Sequence, residues 1–255
     1  MKSLILLSFL PALLLGTCQP KGGNTAAKSS DKSSFKALVF SKTAGYRHES
    51  IPAGIAAIQQ LGQQHQFGVD ATEDASLFTK ENLSKYKVVI FLSTTLDVLD
   101  DPQQAAFEQY IRSGGGFVGI HSAADTEYDW LWYGKLVGGY FNGHPNNPNV
   151  RKATIQVKDK GHPACKGLPE RWERNDEWYN YKELNPNMHV LCNLDETSYE
   201  GGTNGASHPI AWYLEHDGGR SFYTGLGHTS ETFSEPLFLQ HLWGGIQYAA
   251  GTGKP

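Results

Sequence analysis

Histidines and carboxylates gather in this chain among glycine and other small residues. His121 follows the apolar run 117–120 and precedes Ser122-Ala123-Ala124-Asp125. That pattern predicts a tight strand-to-helix turn, which projects one side chain over a sheet edge as a nucleophile elbow does. The projected group is an imidazole, suited to acid/base work, carbonyl polarisation or metal ligation. A structural histidine bonded to a loop carbonyl would leave the same pattern. His228 follows Gly225-Leu226-Gly227, whose missing side chains would let a ligand approach, although a helix-cap or core position explains it equally. Asp176-Glu177, beside Trp178 and Tyr179, could supply a general acid or a metal carboxylate, or form a solvated acidic turn. His121 is the principal acid/base candidate, with His228 and Asp176 or Glu177 assisting.

Other residues could bind a substrate. Arg47 and His48 end the polar loop 42–48, where they could grip hydroxyls or an anion, or simply enter a salt bridge. His144-Pro145 lies in a Gly/Asn/Pro loop typical of a site wall and of any ordered turn. Asp125 could orient His121 or cap the helix after it. Trp130, Trp132, Tyr133, Tyr140 and Trp178 could form aromatic platforms, with packing onto the sheet as the plain alternative. A divalent metal, zinc above all, is chemically compatible with several histidines and carboxylates. No HExxH or HxH spacing is present, so its ligands would have to converge from distant loops; no cofactor is required by the sequence. His208 opens a strand, and His65, His162, His189, His216 and His241 stand in no motif; all six read as structural or solvated.

The elements that must position these residues follow from hydrophobic periodicity. Residues 36–41, 67–71, 87–93 and 117–120 read as strands, the third continuously apolar as in a sheet covered on both faces. Helical spacing over 51–61 and a helix opening at Asp101-Pro102 and closing at Gly114-Gly115-Gly116 alternate with them. Residues 152–157, 188–191, 209–214 and 220–224 read as further strands, and 236–249 as a closing helix. This alternation predicts an α/β layered fold with a mainly parallel sheet, in one domain over residues 35–251. In such sheets sites form at the carboxyl ends of strands, where the stretches ending at His48, Ser93-Thr94-Thr95, His121 and His228 fall.

These motifs, with Gly138-Gly139-Tyr140-Phe141-Asn142-Gly143-His144-Pro145, Asn175-Asp176-Glu177-Trp178-Tyr179 and Gly225-Leu226-Gly227-His228-Thr229, resemble a ThuA-like (trehalose-utilisation) domain over residues 36–250. The resemblance implies a flavodoxin-like three-layer sandwich related to class I glutamine amidotransferases. It also implies a context of trehalose and glucoside metabolism, often alongside a sugar oxidoreductase that makes keto-sugars. Amidotransferases place a cysteine at the elbow, with a His and a Glu two residues beyond it. Here the elbow holds His121, and Glu231 stands three residues after His228. Neither Cys165 nor Cys192 lies near the elbow in sequence, so thiolate acyl-transfer lacks its nucleophile and glutamine hydrolysis is excluded.

Composition bounds the remainder. The 255 residues are 12% aromatic with a formal charge of −4, which excludes disorder for most of the chain. A nucleic-acid binder needs a basic surplus that is lacking here. Residues 4–15 form an apolar run with the length of a signal-peptide core, too short to span a bilayer. Leu15-Gly16-Thr17-Cys18 resembles a lipoprotein cleavage site, so residues 1–17 read as a signal peptide, Cys18 as a lipidated terminus and 18–34 as a flexible tether. An ordinary cleaved signal before an incidental cysteine is the alternative. The expectation is an exported periplasmic or cell-surface lipoprotein, meeting the membrane only through its anchor. It would perform acid/base chemistry, as a lyase, isomerase or hydrolase, on a small sugar, a glucoside or a keto derivative. A non-catalytic carbohydrate-binding module and a metal-dependent hydrolase are the rivals.

Overall fold

The computed structural model describes Met1 and residues 35–253. The expected signal peptide, lipidated Cys18 and tether therefore lie outside the described residues. From Phe35 onward the chain lays down eleven strands. They are β1 (Lys36–Phe40), β2 (Gly68–Thr72), β3 (Val88–Leu92), β4 (Gly116–Ile120), β5 (Tyr140–Phe141), β6 (Val150–Val157), β7 (Arg171–Glu177), β8 (Tyr181–Lys182), β9 (His189–Asp195), β10 (His208–His216) and β11 (Gly219–Thr224). Five helices accompany them: α1 (Ile51–His65), α2 (Lys80–Leu83), α3 (Asp101–Arg112), α4 (Leu131–Val137) and α5 (Pro236–Ala250).

Nine strands form one sheet in the order β2-β1-β3-β4-β11-β10-β9-β6-β7, and β5 pairs with β8 apart from it. The pairings from β2 to β11 are parallel, and those from β11 to β7 antiparallel. Every strand of the sheet except β10 and β6 therefore points the same way, so the carboxyl ends of β1, β3, β4, β11 and β7 share one edge. The sheet is mainly parallel and layered with helices, as the periodicity predicts.

The layering follows from which residues share a face. Leu92, Ile120 and Thr224 stand in register across β3, β4 and β11. That face meets α1, where Gly54 abuts Leu92, and α5, where Gly245 lies over Phe222. The opposite face carries Phe91 and Phe117, which pack on Phe107 of α3 and Tyr133 of α4. Both faces are dry, which explains the unbroken apolar runs of β3 and β4. α3 begins with a capping box: Asp100 accepts from Gln103 N while Gln103 Oε1 accepts from Asp100 N. At Gly116 a Cβ would stand 2.2 Å from the Ala249 carbonyl oxygen, so only glycine lets α5 lie this close to β4.

Candidate functional site

His121 is the first residue after β4 and has φ +51°, a left-handed conformation uncommon outside glycine that histidine adopts more readily than most side chains. Ser93, the first residue after β3, has φ +49°. These turns end adjacent parallel strands abruptly and turn the His121 ring back over the sheet edge. Its Nδ1 lies 3.0 Å from the Gly225 carbonyl oxygen. A carbonyl only accepts, so that nitrogen carries the hydrogen. Tyr223 Oη donates to the His121 carbonyl at 2.7 Å, and the Tyr179 ring lies 4.3 Å from the imidazole. The structural role weighed for His121 and its position at the site coexist: one ring nitrogen is anchored, and the other lies 3.4 Å from Glu177 Oε2 and 3.2 Å from His228 Nδ1, behind the cavity lining.

His228 arrives on the turn after β11, and Glu177 at the end of β7. Although β7 is the far edge of the sheet, the antiparallel strands curl it back onto the β11 turn. Asp176 makes the closure. Its Oδ1 accepts from His228 N at 3.1 Å and from Glu177 N at 3.0 Å, and its Oδ2 accepts from Gly227 N at 3.1 Å. Glu177 Oε2 then stands 3.0 Å from His228 Nδ1 and 3.4 Å from His121 Nε2. His48, at the end of the first loop, has its Nδ1 3.3 Å from Ser122 Oγ and meets the His121 and His228 rings edge-on at 4.7 and 5.2 Å. His144 Nε2 reaches to 3.5 Å from Glu177 Oε1, to which Asn149 Nδ2 donates at 2.7 Å.

The charge states follow from burial and neighbours. Burial pushes the Glu177 carboxyl up, but hydrogen bonds and charge from His121 and His228 outweigh it and hold the group far below the usual carboxylate range. Burial lowers His228, and the paired Glu177 carboxylate outweighs that and raises it. His48 is driven down to about 2, chiefly by burial and then by the neighbouring histidines, so it is a neutral imidazole. Asp125, at the cavity wall, is raised by burial against the opposing effect of the Tyr128 hydroxyl, which donates to it at 2.5 Å. An anionic carboxylate, a histidine that readily protonates, a neutral histidine and a carboxyl of raised pKa thus border one cavity. Such pairs of groups with opposed environments suit proton transfer.

That cavity measures about 340 Å³ and is lined by Tyr46, His48, Asp125, Phe141, His144, Asn149, Glu177, Tyr179 and His228. Tyr46 stands at its mouth, 64% exposed, with its ring 4.8 Å from His48. His48, His121, Glu177 and His228 each offer one ligand-capable atom, all within 4.8 Å of one another. Among the described residues these four could hold a metal, and they come from segments distant in sequence.

Of the residues singled out in the sequence, His121, His228, Glu177, His48 and His144 meet at this place, and Asp125 stands on the cavity wall. Asp176, Arg47, Trp178, Trp130 and Tyr140 do not line it. Asp176 is fully buried beneath His228 and faces Arg174, so it supports the site rather than lining it. Arg47 points away and pairs with Glu73 at 2.7 Å, the salt bridge weighed for it. Trp178 is fully buried, its Nε1 donating to the Arg151 carbonyl. Trp130 donates to Glu108 and packs on α3 through Phe107. Tyr140 is buried, donates to the Glu127 carbonyl, and borders a different cavity with Leu131 and Leu184. Packing therefore claims these three, as it does Trp132 against Phe107 and Tyr133 against Phe91 and Phe117. The aromatic wall is built instead by Tyr46, Phe141 and Tyr179, which sit inside the quoted motifs beside His48, His144 and Glu177. Asn149 had no signal in the sequence. His162, His208 and His241 are buried and structural: His208 bridges Glu196 and the Tyr179 carbonyl, and His241 bridges the Ala164 carbonyl and Thr224. Cys165 and Cys192 are buried free thiols, remote from the elbow.

A family model described as ThuA, trehalose utilisation, matches residues 36–249. Among solved structures, a ThuA-like protein from Bacteroides uniformis superposes with a TM-score of 0.73 at 27% identity, over 86% of this chain and 93% of that one. A second, from Parabacteroides merdae, gives 0.68 at 21% identity, over 87% and 92%. No curated protein matches the chain.

Proposed function

Because this chain belongs to the ThuA, or trehalose-utilisation, family, we propose that the cavity at the carboxyl edge of its sheet is an enzyme site for proton-transfer chemistry on a small sugar derivative. Membership of the family supports a carbohydrate-related role. The observation that carries the enzymatic reading is the Glu177–His228–His121 contact of 3.0 to 3.4 Å at the cavity floor, with Asp125 on the wall.

A cavity of about 340 Å³ suits one sugar ring and falls at the small end of ligand sites. Tyr46, Phe141 and Tyr179 offer faces for the apolar side of a pyranose, and Asn149 and His144 offer polar groups for its hydroxyls. On a keto-sugar, the carbon beside the carbonyl is acidic. A base at the floor would take that proton, while a group such as Asp125, whose carboxyl burial shifts toward the protonated form, returns one to the departing or rearranging oxygen. Elimination and isomerisation share this first step, as does hydrolysis that runs through elimination followed by addition of water. A sugar oxidoreductase supplying the carbonyl is the corresponding partner. Residues 1–18 extend the proposal to an exported, lipid-anchored protein.

The test is turnover of a panel of glucosides and keto-glucosides, read by mass spectrometry. Wild type should convert at least one member, and His121→Ala and Glu177→Gln should lose at least about 100-fold, the scale of one positioned acid/base group. Saturable sugar binding without conversion would leave a binding module in place of an enzyme.

A further inference from the structure

The floor of the cavity holds more acceptors than hydrogens. His121 Nδ1 donates to the Gly225 carbonyl, so its Nε2 presents a lone pair inward. His48 Nδ1 is held by Ser122 Oγ, which leaves Nε2 as its free ring nitrogen. Glu177 contributes a carboxylate oxygen that only accepts. His121 Nε2 and Glu177 Oε2 bring lone pairs only, and His228 Nδ1, 3.0 Å from Glu177 Oε2 and 3.2 Å from His121 Nε2, brings one hydrogen for both of them to share. Acceptors that outnumber hydrogens in a buried place call for a cation among them.

The spacing has the scale of a coordination shell. Zinc binds imidazole nitrogen and carboxylate oxygen at about 2.0–2.2 Å, so tetrahedral ligand atoms stand about 3.3–3.5 Å apart. The separations here are 3.0, 3.2 and 3.4 Å, and all four atoms fall within 4.8 Å of one another. The outer contacts are also those of a metal centre, since each metal-bound histidine usually gives its other nitrogen to a carbonyl, hydroxyl or carboxylate. Gly225 does this for His121 and Ser122 for His48, while Asn149 holds the second oxygen of Glu177. His48, His121 and Glu177 are buried and His228 is partly open, so one side of the set faces the cavity.

We propose that His48, His121, Glu177 and His228 form a binding site for one divalent first-row cation, zinc being the best-matched guest, with its open side toward the cavity. His228 ligates through Nδ1 in its other neutral tautomer, its hydrogen moving to Nε2, so no net proton is released and the contact of Nε2 with Asn149 Nδ2 at 3.3 Å gives way. The inference rests on the proposal above for the place of the site, and not for its substrate.

The full chain, stripped with chelator, would be titrated with Zn²⁺ by calorimetry, and metal content read by elemental analysis after dialysis. The expected result is one zinc per chain. His48→Ala and Glu177→Gln should each weaken binding by about 100-fold, and Ser122→Ala by about 10-fold, the range for ligand-supporting contacts. His65→Ala, whose ring stacks on Trp243 away from the site, should bind as wild type. Cobalt in place of zinc should show the visible bands of a four- or five-coordinate ion. Substoichiometric zinc in wild type overturns the inference, whatever the variants do. So does equal affinity in wild type and folded Glu177→Gln. Conversion of a sugar by a chain that holds substoichiometric zinc would overturn this inference and leave the proton-transfer reading standing. One zinc per chain without conversion of any sugar would do the reverse.

Discussion

Asp176→Ala would remove five contacts at once from the dry base of the site. The carboxylate accepts from the backbone of Glu177, Gly227 and His228, from Arg174 Nη2 at 3.2 Å, and from Thr232 Oγ1 at 3.3 Å. Its side chain is 0% exposed and that of Arg174 only 2%. Without Asp176, the guanidinium keeps Thr232 Oγ1 at 2.7 Å and the half-exposed Glu235 carboxylate at 3.3 Å. Its Nε and Nη1 have no hydrogen-bond partner among the described residues, and the group lies over Trp172 at 5.0 Å and Phe238 at 5.5 Å. Removing one member of such a buried pair costs about 3–5 kcal/mol, because the other charge stays desolvated. For a domain of this size that is a fall in Tm of roughly 6–20 °C. The assay is urea unfolding of wild type, Asp176→Ala, Arg174→Met and the double variant. Deleting both charges should cost less than the sum of the singles by about 1–3 kcal/mol. The single change should also impair conversion, since Asp176 anchors the backbone of His228. A single cost below about 1 kcal/mol, or strict additivity, would refute the view that this ion pair pins β7 to the β11 turn.

Further outcomes follow from other parts of the molecule. His162 and His241 are buried and each lowered to about 4, chiefly by burial. A histidine with a depressed native pKa binds fewer protons folded than unfolded, so stability present above pH 6.5 is lost as pH falls from 6.5 towards 4. Each contributes at most about 1.4 kcal/mol per pH unit in that window. Urea midpoints at pH 7, 6 and 5 should fall steadily, and less steeply in His241→Gln; a flat profile would contradict the burial of neutral rings. Gly116→Ala should cost about 1–3 kcal/mol, because its Cβ would meet the Ala249 carbonyl oxygen at 2.2 Å and displace α5. Unchanged thermal unfolding would show that α5 is free to shift. Tyr46→Ala should raise KM for a sugar by roughly 2–10-fold, the worth of one aromatic contact, with stability unchanged. An unaltered KM would remove Tyr46 from the binding wall.

Much of the fold was legible because it rests on apolar periodicity. β3 and β4 are covered on both faces, so their sequences are unbroken hydrophobic runs, and the expected 87–93 and 117–120 lie within a residue of the strands found. α5 matches 236–249 to one residue. β7 escaped because its inward positions are Trp172, Arg174 and Asp176, and charge on a buried face hides a perfectly regular alternation. Tertiary pairing, Arg174 with Asp176 and both with the β11 turn, is what makes those charges tolerable inside. The two-residue strands β5 and β8 carry no periodicity at all.

The site was legible where backbone chemistry marked it. His121 and His228 stand at strand-end turns flanked by small residues, which the sequence displays. The aromatic wall was assigned to Trp130, Tyr140 and Trp178 because large rings attract such a role. Large rings are also what a core needs, and burial took those three. Tyr46 and Asn149 could be placed only by long-range folding of the first loop and the 144–149 segment towards Glu177.

The most direct test of proton transfer at this site is hydrogen exchange on a keto-glucoside in D₂O, followed by mass spectrometry and by NMR at the carbon beside the carbonyl. The account predicts that wild type places deuterium at that carbon, and that Glu177→Gln and His121→Ala do so no faster than buffer. Exchange at the same rate in wild type and both variants would contradict it, as would conversion of the sugar by wild type to a product that keeps its original hydrogen at that carbon.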